Sequence, residues 1–164
     1  RCQACVARVV VMTYDALRIG RVSIPGQVYF VTMVTAGRRT LFADFGLARV
    51  VIREMRRLDE DGWLASMAWV VMPDHVHWLI QLGREVSLAR AMQAFKGRVG
   101  QRINGMRRQS GPVWQKSFHD RAMRTEDDLP DIARYIVANP LRAGLVIRLG
   151  DYPHWDAVWL QATG

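Results

Sequence analysis

A chain of 164 residues, half of them apolar, with 23 Lys+Arg against 15 Asp+Glu and a net charge of +8, is long enough for one substantial core and too apolar to be disordered or collagen-like. No apolar run approaches the roughly 20 residues that cross a bilayer, so no membrane-spanning helix is expected. Only Lys96 and Lys116 are lysines, so arginine carries the charge; its planar fork suits phosphate and stacks on bases, which points to nucleic acid, although a GC-rich genome also enriches arginine.

Residues 1–22 read as an N-terminal extension, expected to be partly disordered, and 23–164 as a single domain. Cys2 and Cys5 form a lone Cys-x-x-Cys without the second pair that zinc needs, so they read as incidental thiols in a reducing cytoplasm. Met12 is a candidate translation start.

After the turn Ser23-Ile24-Pro25-Gly26, residues Gln27 to Thr35 are rich in β-branched and aromatic side chains and predict a strand. From Leu41 the period changes. Leu41, Phe45, Ala48, Ile52 and Met55 make one apolar stripe, with Arg49, Arg53, Arg56 and Arg57 off it, which predicts an amphipathic helix to about Asp59. Asp61-Gly62 turns the chain into a second strand, Trp63 to Met72. Pro73-Asp74 then turns it into a third, running to Gln81 or Leu82, and the two form a β-hairpin. Ser87 caps a helix from Leu88 to about Ile103, with Leu88, Met92, Phe95 and Val99 buried, and Asn104-Gly105 ends it. Val113 to Arg124 reads as a fourth strand. Thr125 caps a last helix, with Glu126, Asp127 and Asp128 in its first turn and Pro140 stopping it after Asn139. The aromatic tail around Tyr152 and Trp155 is expected to pack on the domain.

The order β-α-β-β-α-β-α predicts an α+β fold of the ferredoxin-like, RRM-like split βαβ kind. Its central antiparallel sheet has helices on one face, and the third strand lies in the middle.

That third strand carries His75 and His77. Alternate residues of a strand share a face, so the two imidazoles project together from Cα atoms roughly 7 Å apart. Such a pair suits either a metal ion or two half-buried polar side chains, and an ion would need a third ligand. On the last helix, Tyr135 and Asn139 are four apart and lie one above the other beside the stripe Leu129, Ile132, Ala133 and Ile136. An amide oxygen can ligate a hard cation, and a phenol can act as a nucleophile. A rim tyrosine and a helix-terminal asparagine explain the same pattern.

Three stretches, Met72 to His77, Trp114 to Arg121 and Ala133 to Val146, together resemble the single-tyrosine transposases of the HUH (His-hydrophobic-His) nuclease superfamily, and within it the REP-associated tyrosine transposases. The likeness runs from about Ile24 to Val146. It implies that His75 and His77 are metal ligands, that Asn139 is the third ligand where many relatives have glutamine, and that Tyr135, on a C-terminal helix, is the nucleophile. Asp74 stands where the family usually has asparagine. The implied cofactor is Mg²⁺ or Mn²⁺. The implied partner is single-stranded DNA with a hairpin, in the bacterial cytoplasm at the nucleoid, and the enzyme acts as a monomer or homodimer.

The resemblance further implies cleavage and strand transfer through a 5′-phosphotyrosine. Lys96, Arg98 and Arg102, the Arg107-Arg108 loop, Arg38, Arg39 and Arg121 are candidates to track phosphates. Two other readings remain at this point: a domesticated hairpin-binding protein without turnover, and a metal-dependent nuclease that uses water.

Overall fold

The computed structural model describes residues 23–125 and 127–160, so expectations about residues 1–22, including Cys2, Cys5 and Met12, and about Glu126, lie outside the described residues. In chain order the regular elements are β1 (Val28–Val34), α1 (Phe45–Glu60), β2 (Leu64–Val71), β3 (His75–Leu82), α2 (Leu88–Arg107), β4 (His119–Ala122), α3 (Leu129–Val137), α4 (Asn139–Arg142) and β5 (Trp155–Ala157). The sheet runs β4-β1-β3-β2-β5 and is antiparallel throughout. Its first four strands have the split βαβ arrangement, and the histidine strand is central. No helix among the described residues is long and apolar enough to cross a membrane.

The period of two along β3 divides its side chains between two cores. Val76, Trp78, Ile80 and Leu82 face α1 and α2, packing with Leu58, Met92, Phe95 and Val99. Leu79 faces the other way and joins Ala68, Val70 and Met72 beneath Ala133, Ile136 and Val137 of α3. Helices therefore cover both faces, not one as the element order suggested. The reason lies in the strand: Trp78 and Leu79, adjacent and pointing oppositely, are both fully buried, so each face needs a cover. His75 and His77 share the face of Leu79 and lie on the α3 side.

Several boundaries differ from expectation. Helix α1 starts after a 3-10 turn at Leu41–Ala43, because Asp44 caps it by accepting from the Leu47 amide at 3.0 Å. This phasing leaves Phe45 exposed, outside the buried stripe, and puts Leu47 inside. Ser87 does cap α2, accepting from the Arg90 amide, but the helix continues through Asn104-Gly105 and ends at Arg108, whose φ of 51° is left-handed. The fourth strand is only four residues long: Val113 and Trp114 leave the edge to bury in the α1/α2 core, keeping a single bridge from Trp114 to Thr35.

Helix α3 is capped by Asp128, not Thr125, and Asp127 is held outside it by the Arg124 amide and the Arg121 side chain. The tail does pack on the domain. It adds β5 along β2 and ties Tyr152 Oη to the Val71 carbonyl at 2.7 Å.

Candidate active site

Strand β3 presents His75 and His77 with ring centroids 4.7 Å apart in an edge-on arrangement. Each ring is oriented through Nδ1. His75 Nδ1 donates to Asp74 Oδ1 at 2.6 Å, and Asp74 Oδ2 accepts from Arg38 at 3.2 Å. His77 Nδ1 lies 2.9 Å from Thr32 Oγ1, its cross-strand neighbour on β1, and Phe30 flanks the ring at 5.4 Å. With Nδ1 engaged on both rings, Nε2 is the nitrogen left for a ligand, the arrangement that orients metal-binding histidines. Burial draws the Asp74 carboxyl upward, but the hydrogen bond and charge of His75, then those of Arg38, outweigh it and hold the carboxyl below its ordinary value.

His77 is pushed down to about 4, first by burial, then by the charges of His75 and Arg142. It is therefore neutral at physiological pH, with a lone pair to offer. In the unfolded chain the same ring takes up its proton near 6.5. Between those values the unfolded state binds more protons, so this residue's contribution to stability is complete above 6.5 and is lost as the pH falls toward 4. An NMR titration of the metal-free protein should show the His77 ring changing charge near 4; a midpoint at the ordinary 6.5 would contradict this environment.

Helix α3 lies against the histidine face through Ala133, Ile136 and Val137, two of whose neighbours are Val70, the register partner of His77, and Leu79. Tyr135 flanks this stripe, 56 % exposed, and its hydroxyl meets no hydrogen-bond partner among the described residues. Pro140 lacks the N–H that would donate to the Ile136 carbonyl four residues back. Asn139 supplies the missing donor: its Nδ2 donates to Ile136 O at 2.9 Å and more loosely to Tyr135 O at 3.4 Å. That use of the nitrogen leaves Oδ1 as the free end of the amide.

Among the described residues no three His, Cys, Asp or Glu side chains cluster as an ion site. A neutral oxygen could serve as a third protein donor, and the Asn139 amide has the right chemistry for it. As a donor set, two imidazoles and an amide oxygen would suit a divalent cation that keeps open positions, Mn²⁺ better than Mg²⁺ because imidazole is a softer donor than oxygen.

Arg142 joins the helix side to the histidine side. Its guanidinium carbon sits 3.9 Å from the centre of the Tyr135 ring, and its charge is felt at His77. It is reached because α4 restarts at once after Ala138, with the Arg142 amide donating to Ala138 O at 3.1 Å.

The other basic candidates divide. Arg38 stands beside the histidines through Asp74, and Arg39 donates to Pro112 O and Ala36 O, bracing the neighbouring loop. Arg121 shares the histidine face by register and pairs with Asp127 at 2.8 Å. Helix α2 covers the opposite face, so Lys96, Arg98 and Arg102 do not adjoin His75 and His77. The Lys96 ammonium donates to the carbonyls of Gln115, Lys116 and Ser117, pinning that loop, while Arg98 binds buried Glu54. Arg102, Arg107 and Arg108 are exposed.

Thr32 and Arg142 were not assigned roles from sequence. The first is visible only through strand register. The second had a signal, since it follows Tyr135 by seven positions, two helical turns.

Comparison with known proteins adds the following. Residues 24–139 match the family model described as transposase, IS200-like. A REP-associated tyrosine transposase of Escherichia coli (strain K12) is 28 % identical over 137 residues, which span 81 % of this chain and 78 % of that protein. The solved structure of a REP-associated tyrosine transposase bound to a REP hairpin matches 83 % of this chain and 79 % of its own with a TM-score of 0.70. Its sequence identity is 23 %, so the likeness speaks for the fold.

Proposed function

The chain belongs to the IS200-like transposase family, and from that premise we propose that it nicks and rejoins single-stranded DNA beside a hairpin through a covalent phosphotyrosine on Tyr135. The observation that supports this reading is the packing of α3, which carries Tyr135, on the face of β3 that presents His75 and His77, with Arg142 over the Tyr135 ring. A divalent ion, when bound, supplies Lewis-acid polarisation of a phosphodiester and stabilises its developing charge. His75, His77 and Asn139 would hold it, with Asp74 and Thr32 fixing the two rings.

Tyr135 does the covalent chemistry. Its Oη forms a bond to phosphorus and gives its proton to solvent, while the bond from phosphorus to the 3′ oxygen breaks and that oxygen leaves as a hydroxyl. The phosphotyrosine keeps the energy of a phosphodiester, so another 3′-hydroxyl can attack it, restore the phenol and join new ends without a nucleotide cofactor. The solved REP-associated tyrosine transposase with the matching fold is bound to a REP hairpin, which supports hairpin DNA as the substrate, and the net charge of +8 is consistent with it.

The test uses a 3′-labelled REP-type hairpin oligonucleotide with single-stranded flanks. With Mn²⁺, label should migrate with the protein on a denaturing gel, and EDTA should abolish the band. Cleavage without an adduct would favour a nuclease that uses water. Tight binding without cleavage under any divalent ion would favour a hairpin-binding protein.

A further inference from the structure

Four other arginines near the histidine face or the last helices hold a carboxylate: Arg38 has Asp74, Arg121 has Asp127, Arg134 has Asp131 and Arg148 has Asp151. Arg142 has none among the described residues. It lies over the Tyr135 ring instead, with the guanidinium carbon 3.9 Å from the ring centre. A cation–π contact of this kind uses the group's charge but not its N–H donors, of which arginine has five in a planar fork. No acceptor among the described residues takes one of them, and the side chain is exposed. A guanidinium with no carboxylate and no acceptor among the described residues, held against the phenol ring, is positioned for an anion that arrives from solution.

We propose that Arg142 is a catalytic residue, its guanidinium holding a non-bridging oxygen of the scissile phosphate beside the Tyr135 hydroxyl. This rests on the strand-transfer reading above. As Tyr135 Oη bonds to phosphorus and the 3′ oxygen departs, negative charge gathers on the non-bridging oxygens. Arginine's fork gives two charge-assisted hydrogen bonds to phosphate oxygens, where a lysine offers a single point charge. The ring contact sets the distance: a guanidinium stacked on the nucleophile's own ring moves with it and keeps phosphate and phenol together.

Two measurements decide the matter. The first is the rate of adduct formation on the hairpin oligonucleotide with Mn²⁺. Arg142→Ala should be at least about 100-fold slower than the native protein, and Arg142→Lys should recover only part of that. The scissile phosphate, mapped with the native protein, is then replaced by each methylphosphonate diastereomer. On the isomer that lacks only the oxygen held by Arg142, the native protein and Arg142→Ala should react at nearly equal rates. A variant equally impaired on phosphate and on both isomers would show that Arg142 merely props the ring, and overturn the proposal.

The second is binding of the natural oligonucleotide without metal, by fluorescence anisotropy. Arg142→Ala should weaken it about tenfold, against less than twofold for Arg148→Ala, whose guanidinium is paired with Asp151. Unchanged binding by Arg142→Ala would overturn the assignment. Absence of any adduct with the native protein would instead overturn the strand-transfer reading, and the binding arm would still decide whether Arg142 holds a phosphate.

Discussion

Replacing Tyr135 by Phe should remove the covalent DNA adduct, a loss of at least about 1,000-fold, because no other group can replace a missing nucleophile oxygen. Stability should hardly change. The side chain is 56 % exposed and its hydroxyl has no hydrogen-bond partner among the described residues, so the variant loses no internal bond. Surface substitutions of this kind stay within roughly 0.5 kcal/mol. The Phe ring also keeps the contact with Arg142, so oligonucleotide binding should survive. Adduct formation and thermal unfolding, measured on the same preparation, separate the two effects. A Phe variant that still forms adduct at the native rate would place the nucleophile elsewhere.

The largest expected effect on stability lies away from the histidines, where α1 meets α2. Glu54 is only 2 % exposed, and its carboxylate is bonded to Arg98 at 2.9 Å. Arg98 is one-third exposed and lies over Trp63, with its guanidinium carbon 5.6 Å from the ring centre. The pair is asymmetric. Deprived of Glu54, Arg98 can turn its head to water; deprived of Arg98, Glu54 is left as an unpaired charge in the core. Arg98→Met keeps the aliphatic stem over Trp63 and should destabilise by about 3 kcal/mol, the low end for breaking a buried pair. Glu54→Gln should cost about 1 kcal/mol, since an amide still offers an oxygen to the arginine. The double variant Glu54→Leu with Arg98→Met should recover most of the loss, because an apolar pair of similar volume carries no desolvation cost. Chemical denaturation of the single and double variants gives these values directly.

Where the period of the sequence was strong, it located the elements well. The alternation of Val28–Val34, the hairpin across Pro73-Asp74, and the stripe Leu88, Met92, Phe95 and Val99 each became the element expected. The misses have a common cause. Pattern shows which face of an element is apolar but not which layer of the fold will cover it. Val113 and Trp114 looked like strand residues because they are apolar, and they bury in the helix core instead. Thr125 was the expected cap of the last helix, with the acids in its first turn, but Asp127 pairs with Arg121 and Asp128 takes the capping role.

For the site, His75 and His77 were legible because a strand must put both on one face, and Tyr135 and Asn139 because a helix stacks residues four apart. That the last helix lies against the histidine face was required by the resemblance, and α3 does pack there, but no residue pattern showed why. The packing depends on α3 crossing to the face opposite α1 and α2, which follows from the adjacent burial of Trp78 and Leu79 and not from any residue of the site. Thr32 was hidden for a similar reason, since only register sets it beside His77. The basic residues were the least legible: a run of arginines does not reveal which of them already hold a carboxylate.

The central claim is that the histidine pair and the tyrosine form one centre. Its most direct test is to trap the protein on a hairpin oligonucleotide with Mn²⁺, digest the adduct and locate the DNA by tandem mass spectrometry. The account predicts a nucleotide joined through its 5′-phosphate to Tyr135, formed by the native protein and lost when His75 and His77 are both replaced by Ala. DNA attached to any other residue, or an adduct at Tyr135 that persists without the two histidines, would contradict it.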